Sequence, residues 1–68
     1  MITYKGTVLS RLPNGMVQIS VNIYEDGRLK KNLVTQATDI YKISSINQIV
    51  GEGGLPVRQT SNDNWVIG

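Results

Sequence analysis

Residues 14–28 read NGMVQISVNIYEDGR. Val17, Ile19, Val21 and Ile23 occupy every second position, with Gln18, Ser20, Asn22 and Tyr24 between them. A period of two sends alternate side chains to opposite faces of a strand, whereas a helix would spread these aliphatics around its axis. β-branched side chains also pack well on a pleated surface. The stretch predicts a strand from about Met16 to Tyr24 with one core face. Its other face is polar and carries no charge.

Turn signals stand on both sides. In RLPNG, residues 11–15, Pro13 presets its own φ, and Asn14-Gly15 tolerates positive φ. Before it, residues 2–10 place Ile2, Tyr4 and Val8 on one face and Thr3, Lys5, Thr7 and Leu9 on the other. Gly6 interrupts the apolar row, which marks a bulge or a close approach of another backbone. Two alternating runs around a Pro-Asn-Gly turn predict a hairpin. EDG at 25–27 suits a second hairpin loop of three to four residues with Gly27 left-handed. The returning run, RLKKNLVTQAT, is less regular: Leu29, Leu33 and Ala37 share a face with Lys31 and Thr35. Lysines within a strand often mark a sheet edge.

Residues 38–50, TDIYKISSINQIV, support two readings. Ile40, Ile43, Ile46 and then Ile49 or Val50 recur at helical spacing, with Thr38 or Asp39 as N-cap and Gly51 beyond the C-terminus. The β-branched content favours strand or irregular structure instead. GEGG at 51–54 reads as a flexible break. Its glycines resemble part of a phosphate cradle, but the Gly-Lys-Ser/Thr continuation is missing. LPVRQT, a polar SNDN turn and WVIG read as a last hairpin, with Pro56 directing its strand to an edge.

The expected architecture is a single small β-rich domain over residues 1–68. It is an antiparallel barrel or half-open sandwich of four to five short strands, SH3-like or OB-like in scale, with 39–50 either a short helix or strand.

Composition limits the chemistry. The chain has 68 residues, no cysteine and no histidine. Disulfides and thiolate sites are excluded, and transition-metal sites lose their usual ligands. The acids Glu25, Asp26, Asp39, Glu52 and Asp63 are scattered apart from the turn pair 25–26, so no oxygen cage for a hard cation is expected. Neutral-pH acid–base or nucleophilic catalysis lacks its common residues, and Ser44-Ser45 near Lys42 is adjacency without an activating arrangement. The expectation is a non-enzyme with no cofactor and no small-molecule substrate. No run of 18 apolar residues exists and the N-terminus lacks a signal-peptide pattern, so the expected setting is cytoplasmic at synthesis, with a virion as a final location.

The net charge is +2 and charged residues make up 18% of the chain, below the usual quarter. Interfaces favour Tyr and are depleted in Lys, Glu and Asp at their centres. Gln18, Ser20, Asn22 and Tyr24 are therefore the expected contact residues of a structural or interaction module. Trp65, Val66 and Ile67 form an added edge at the apolar C-terminus. The expected partner is another protein or a second copy, in a larger assembly such as a virion or phage head or tail. A single-stranded nucleic-acid barrel is the alternative, with Tyr24, Arg28, Lys30 and Lys31 as contacts and Tyr4, Tyr41 and Trp65 as further aromatic platforms. A small inhibitor of a larger enzyme is a third reading.

Overall fold

A computed structural model describes residues 1–40, 46–61 and 64–68. Its strands are β1 (Ile2–Arg11), β2 (Val17–Glu25), β3 (Arg28–Asp39), β4 (Ile49–Gly51), β5 (Val57–Ser61) and β6 (Asn64–Ile67). They form one 6-stranded sheet in the order β4-β1-β2-β3-β6-β5. Every neighbouring pair is antiparallel except β3–β6, which is parallel. The sheet curls so that β4 approaches β5: Gly51 N–H donates to Leu55 O at 2.6 Å, and Leu55 N–H to Ile49 O at 3.0 Å. The result is a curled half-barrel, consistent with the expected small β barrel or sandwich, but built from six strands rather than four or five and with one parallel pair in place of a purely antiparallel sheet.

The added strand, β4, lies inside the 39–50 stretch. Residues 41–45 of that stretch lie outside the described residues. On either side of them the chain is strand through Asp39 and strand again from Ile49, with no helix among the described residues. Val50 explains the outcome at this end: it is fully buried beside Gly6 on β1, as a strand residue facing the core.

The core is the face read from the alternation. Val17, Ile19 and Val21 of β2 are buried with Val8, Ala37, Val50, Trp65 and Ile67, while Ile23, Tyr4, Leu33, Leu55 and Val57 pack around them. Fully burying an aliphatic side chain of this size contributes about 1.5–3 kcal/mol, so β2 supplies a large share of the hydrophobic stabilisation.

The first turn forms as its residues dictate. Gly15 N–H donates to Leu12 O at 3.1 Å across Pro13-Asn14, and Gly15 takes φ 84°. Asn14 Oδ1 accepts from Met16 N–H at 3.0 Å and holds the exit. The second turn is tighter than the expected three to four residues. Glu25 pairs with Arg28, leaving Asp26 at φ 52° and Gly27 at φ 83° as a two-residue loop. Two successive positive φ values match the right-handed twist of the flanking strands, and Asp tolerates the left-handed region.

A bulge in β3 corrects the reading of its faces. The β2–β3 register runs from Ile23↔Lys31 to Tyr24↔Leu29, so Lys30 is the extra residue. One inserted residue inverts every side chain beyond it. Leu29 therefore shares the outer face with Tyr24 and is 58% exposed, apart from Leu33 and Ala37.

GEGG is a hydrogen-bonded closure rather than a flexible break. Gly51, Glu52 and Gly54 donate their N–H groups to Leu55 O, Tyr4 O and Gly51 O. Those amides are spent on the chain's own carbonyls, which leaves no cluster of donors for a phosphate.

Candidate interaction face

Paired residues on neighbouring strands point to the same side of a sheet, so the register defines the outer face row by row. Thr3, Tyr24 and Leu29 form the first row, and Lys5, Asn22 and Asn32 the second. Ile49, Thr7, Ser20 and Val34 form the third. Ser10, Gln18 and Gln36 form the fourth. The uncharged alternate positions of β2 thus lie at the centre of an uncharged field three strands wide. Among the described residues in these rows, Lys5 is the sole charge.

The field has aliphatic margins: Ile49 on β4 is 44% exposed, and Val34 on β3 is 56% exposed. Between them Gln18, Ser20, Asn22 and Tyr24 are all half-buried by their neighbours. Asn32 Nδ2 donates to Asn22 Oδ1 across β2 and β3, which fixes one amide of the second row. Lys5, Thr7, Ser20, Asn22, Tyr24 and Ile49 line an open groove of about 310 Å³ that crosses β4, β1 and β2. Gly6 forms part of its floor. A Cβ there would stand 1.9 Å from Ser20 O, so the glycine is required by the close approach of the β2 backbone. That is one of the two roles its position allows. The β1 bulge falls at Leu9 instead.

The C-terminal residues hold a different place from the one expected. β6 is flanked by β3 on one side and β5 on the other, so Trp65, Val66 and Ile67 are not an edge. Trp65 and Ile67 are 3% and 0% exposed and belong to the core; Val66 is half-buried on the opposite side. The reason is the parallel pairing of β6 with Ala37–Asp39, a long-range contact that local pattern does not reveal. β5 is the edge, as Pro56 indicated.

Of the residues of the nucleic-acid alternative, Tyr24, Arg28, Lys30 and Lys31 gather near the 25–28 hairpin, whereas the further aromatics Tyr4 and Trp65 lie apart from them. Tyr4 and Trp65 meet edge to face at 5.1 Å and 81°, so these rings pack on each other at the core. Tyr41 and Lys42 lie outside the described residues. Tyr24 lies on the outer face, while Arg28, Lys30 and Lys31 are exposed along β3 near the hairpin tip. Lys30 Nζ is 3.5 Å from Glu25 Oε2, an exposed pair worth about 0–1 kcal/mol.

Elsewhere, a crevice of about 250 Å³ lined by Thr3, Tyr4, Gly51, Glu52, Pro56 and Val57 marks the seam of the half-barrel. No helix among the described residues is long and apolar enough to cross a membrane. No family model, curated protein or solved structure matches the chain.

Proposed function

We propose that this chain is a non-catalytic interaction module, a subunit that works by contact through the outer face of β1, β2 and β3. One observation carries the reading: a field three strands wide in which Lys5 is the sole charge among the described residues, bordered by exposed Ile49 and Val34. Removing amide and hydroxyl groups from water costs far less than removing charges, provided that a partner supplies hydrogen bonds. Scattered exposed aliphatics are ordinary; the feature shared with an interface centre is the depletion of charge, together with the half-buried aromatic Tyr24. A multi-copy particle such as a virion or phage head or tail, assembled from chains made in the cytoplasm, is the setting we propose, because such a subunit is covered once assembled.

The test compares the wild-type chain with Ser20→Glu by sedimentation at high concentration and low salt, and by pull-down from its native cells. The Ser20 side chain points away from the core, so the variant is expected to keep its fold. The wild type is expected to self-associate or retain a partner, and the variant to lose that association. A wild type that remains a sharp monomer and retains nothing overturns the reading. Binding to a single-stranded oligonucleotide that weakens steeply with salt would replace it with the nucleic-acid alternative.

A further inference from the structure

Lys5 stands alone as a charge on the outer face. In its row it has Asn22 on β2 to one side and Gly51 on β4, which offers no side chain, to the other. It is exposed, and among the described residues its ammonium joins no ion pair and no hydrogen bond. Glu25 and Asp26 are engaged elsewhere, Glu25 by Lys30 at 3.5 Å and Asp26 by the Met1 ammonium at 2.6 Å. Glu52 follows Gly51 at the seam and makes no ion pair with Lys5.

A partner that covers this face takes Lys5 out of water, and an ammonium desolvated without a counter-charge opposes binding strongly. A two-fold contact between copies uses the same patch on both. The rows of the outer face hold no carboxylate among the described residues, so a second copy docked face to face brings another Lys5 and neutralises neither. The surroundings of Lys5 instead suit an anion. Asn22 Oδ1 is turned toward β3, where it accepts from Asn32 Nδ2. Its own Nδ2 is therefore turned toward β1 and Lys5. The ammonium and this amide N–H are two donors at one place in the groove, with the hydroxyls of Thr7 and Ser20 beside them. A carboxylate has two acceptor oxygens to match, and its hydrogen bond to a cation is of the stronger kind.

One cation suits one carboxylate. A nucleic-acid strand repeats its charge at every phosphate, and the nearby basic residues do not continue this site. Arg28 and Lys31 pair with Glu25 and Ile23, which alternate in step with buried Val21, so both lie on the opposite side of the sheet from Lys5. We propose that the outer face binds a different protein, whose contact surface carries one Asp or Glu carboxylate that seats between Lys5 and Asn22. The inference rests on the outer-face reading. It adds that Lys5 is the charged anchor and that the partner is not a second copy docked through the same face.

A displayed library of short random peptides is selected on the immobilised full-length chain and, in parallel, on Lys5→Arg, Lys5→Gln and Lys5→Glu, each checked for unchanged Trp65 emission. The wild type and Lys5→Arg are expected to enrich peptides with one Asp or Glu. The strongest of these, synthesised, is expected to shift the amide resonances of Thr7, Ser20 and Asn22 in the nitrogen-15-labelled chain. Lys5→Gln is expected to bind that peptide about tenfold more weakly, and Lys5→Glu to select Lys or Arg instead. Outer-face peptides with no acid preference, or equal affinity for wild type and Lys5→Gln, overturn the proposal and leave the outer-face reading in place. So does a wild-type dimer in sedimentation that Ser20→Glu dissolves. An acid preference that survives Lys5→Gln but is lost in Lys30→Gln with Lys31→Gln moves the anion site to the hairpin and overturns it. Equal weakening by Glu52→Gln shows that Lys5 is neutralised within its own chain, and also overturns it. Selection of no outer-face peptide at all overturns the proposal together with the reading it rests on.

Discussion

Gly6→Ala tests whether the curl of the sheet depends on one close approach. The Cβ added at Gly6 would stand 1.9 Å from Ser20 O and 3.0 Å from Val21 Cα. A carbon–oxygen contact is ordinarily about 3.3 Å or more, so β1 and β2 must part by roughly 1.4 Å at this point. Neither can yield freely. Gly6 pairs with Val21 on one side and with Val50 on the other, and both partners are fully buried. Straining two or three ladder hydrogen bonds costs about 1 kcal/mol each. Opening a gap of methyl size beside Val8, Val21 and Val50 costs about 1 kcal/mol more. The expected loss is about 3–4 kcal/mol, against a total stability of about 3–10 kcal/mol for a domain of 68 residues.

Urea unfolding followed by Trp65 fluorescence measures this directly, because the sole tryptophan is 3% exposed and reports on the core. Gly53→Ala is the comparison. Gly53 has φ 82° with nothing within 4 Å of an added Cβ, so only backbone strain of about 1–2 kcal/mol applies. A Gly6→Ala midpoint equivalent to a loss below about 1 kcal/mol would refute the steric argument. It would show that β1 and β2 can separate without loosening the core.

Two further outcomes follow from the core. Ile19→Ala, at a fully buried position of β2, is expected to cost about 2–5 kcal/mol in the same urea titration; a loss under about 1 kcal/mol would mean that the interior collapses to fill the space. Tyr4→Leu removes the edge-to-face contact with Trp65 and is expected to cost about 0.5–1.5 kcal/mol beyond the change in buried area, with an altered Trp65 emission in the folded state. Unchanged emission would argue against that contact.

Local chemistry made much of this molecule legible. The alternation at 17–23, the Pro13–Gly15 turn and Asp26-Gly27 define a meander of β1, β2 and β3, because strand period and turn geometry are properties of adjacent residues. The outer-face row Gln18, Ser20, Asn22 and Tyr24 followed from the same alternation. Tertiary structure alone decided the rest. The parallel docking of β6 on Ala37–Asp39 took Trp65 and Ile67 into the core, although an apolar C-terminal run reads equally well as an edge. The Lys30 bulge moved Leu29 to the opposite face, since a single extra residue changes register without leaving a distinct sequence mark. The width of the uncharged field depends on which strands become neighbours. It is set by contacts between residues far apart in the chain, whose closure is rewarded only when the whole half-barrel forms.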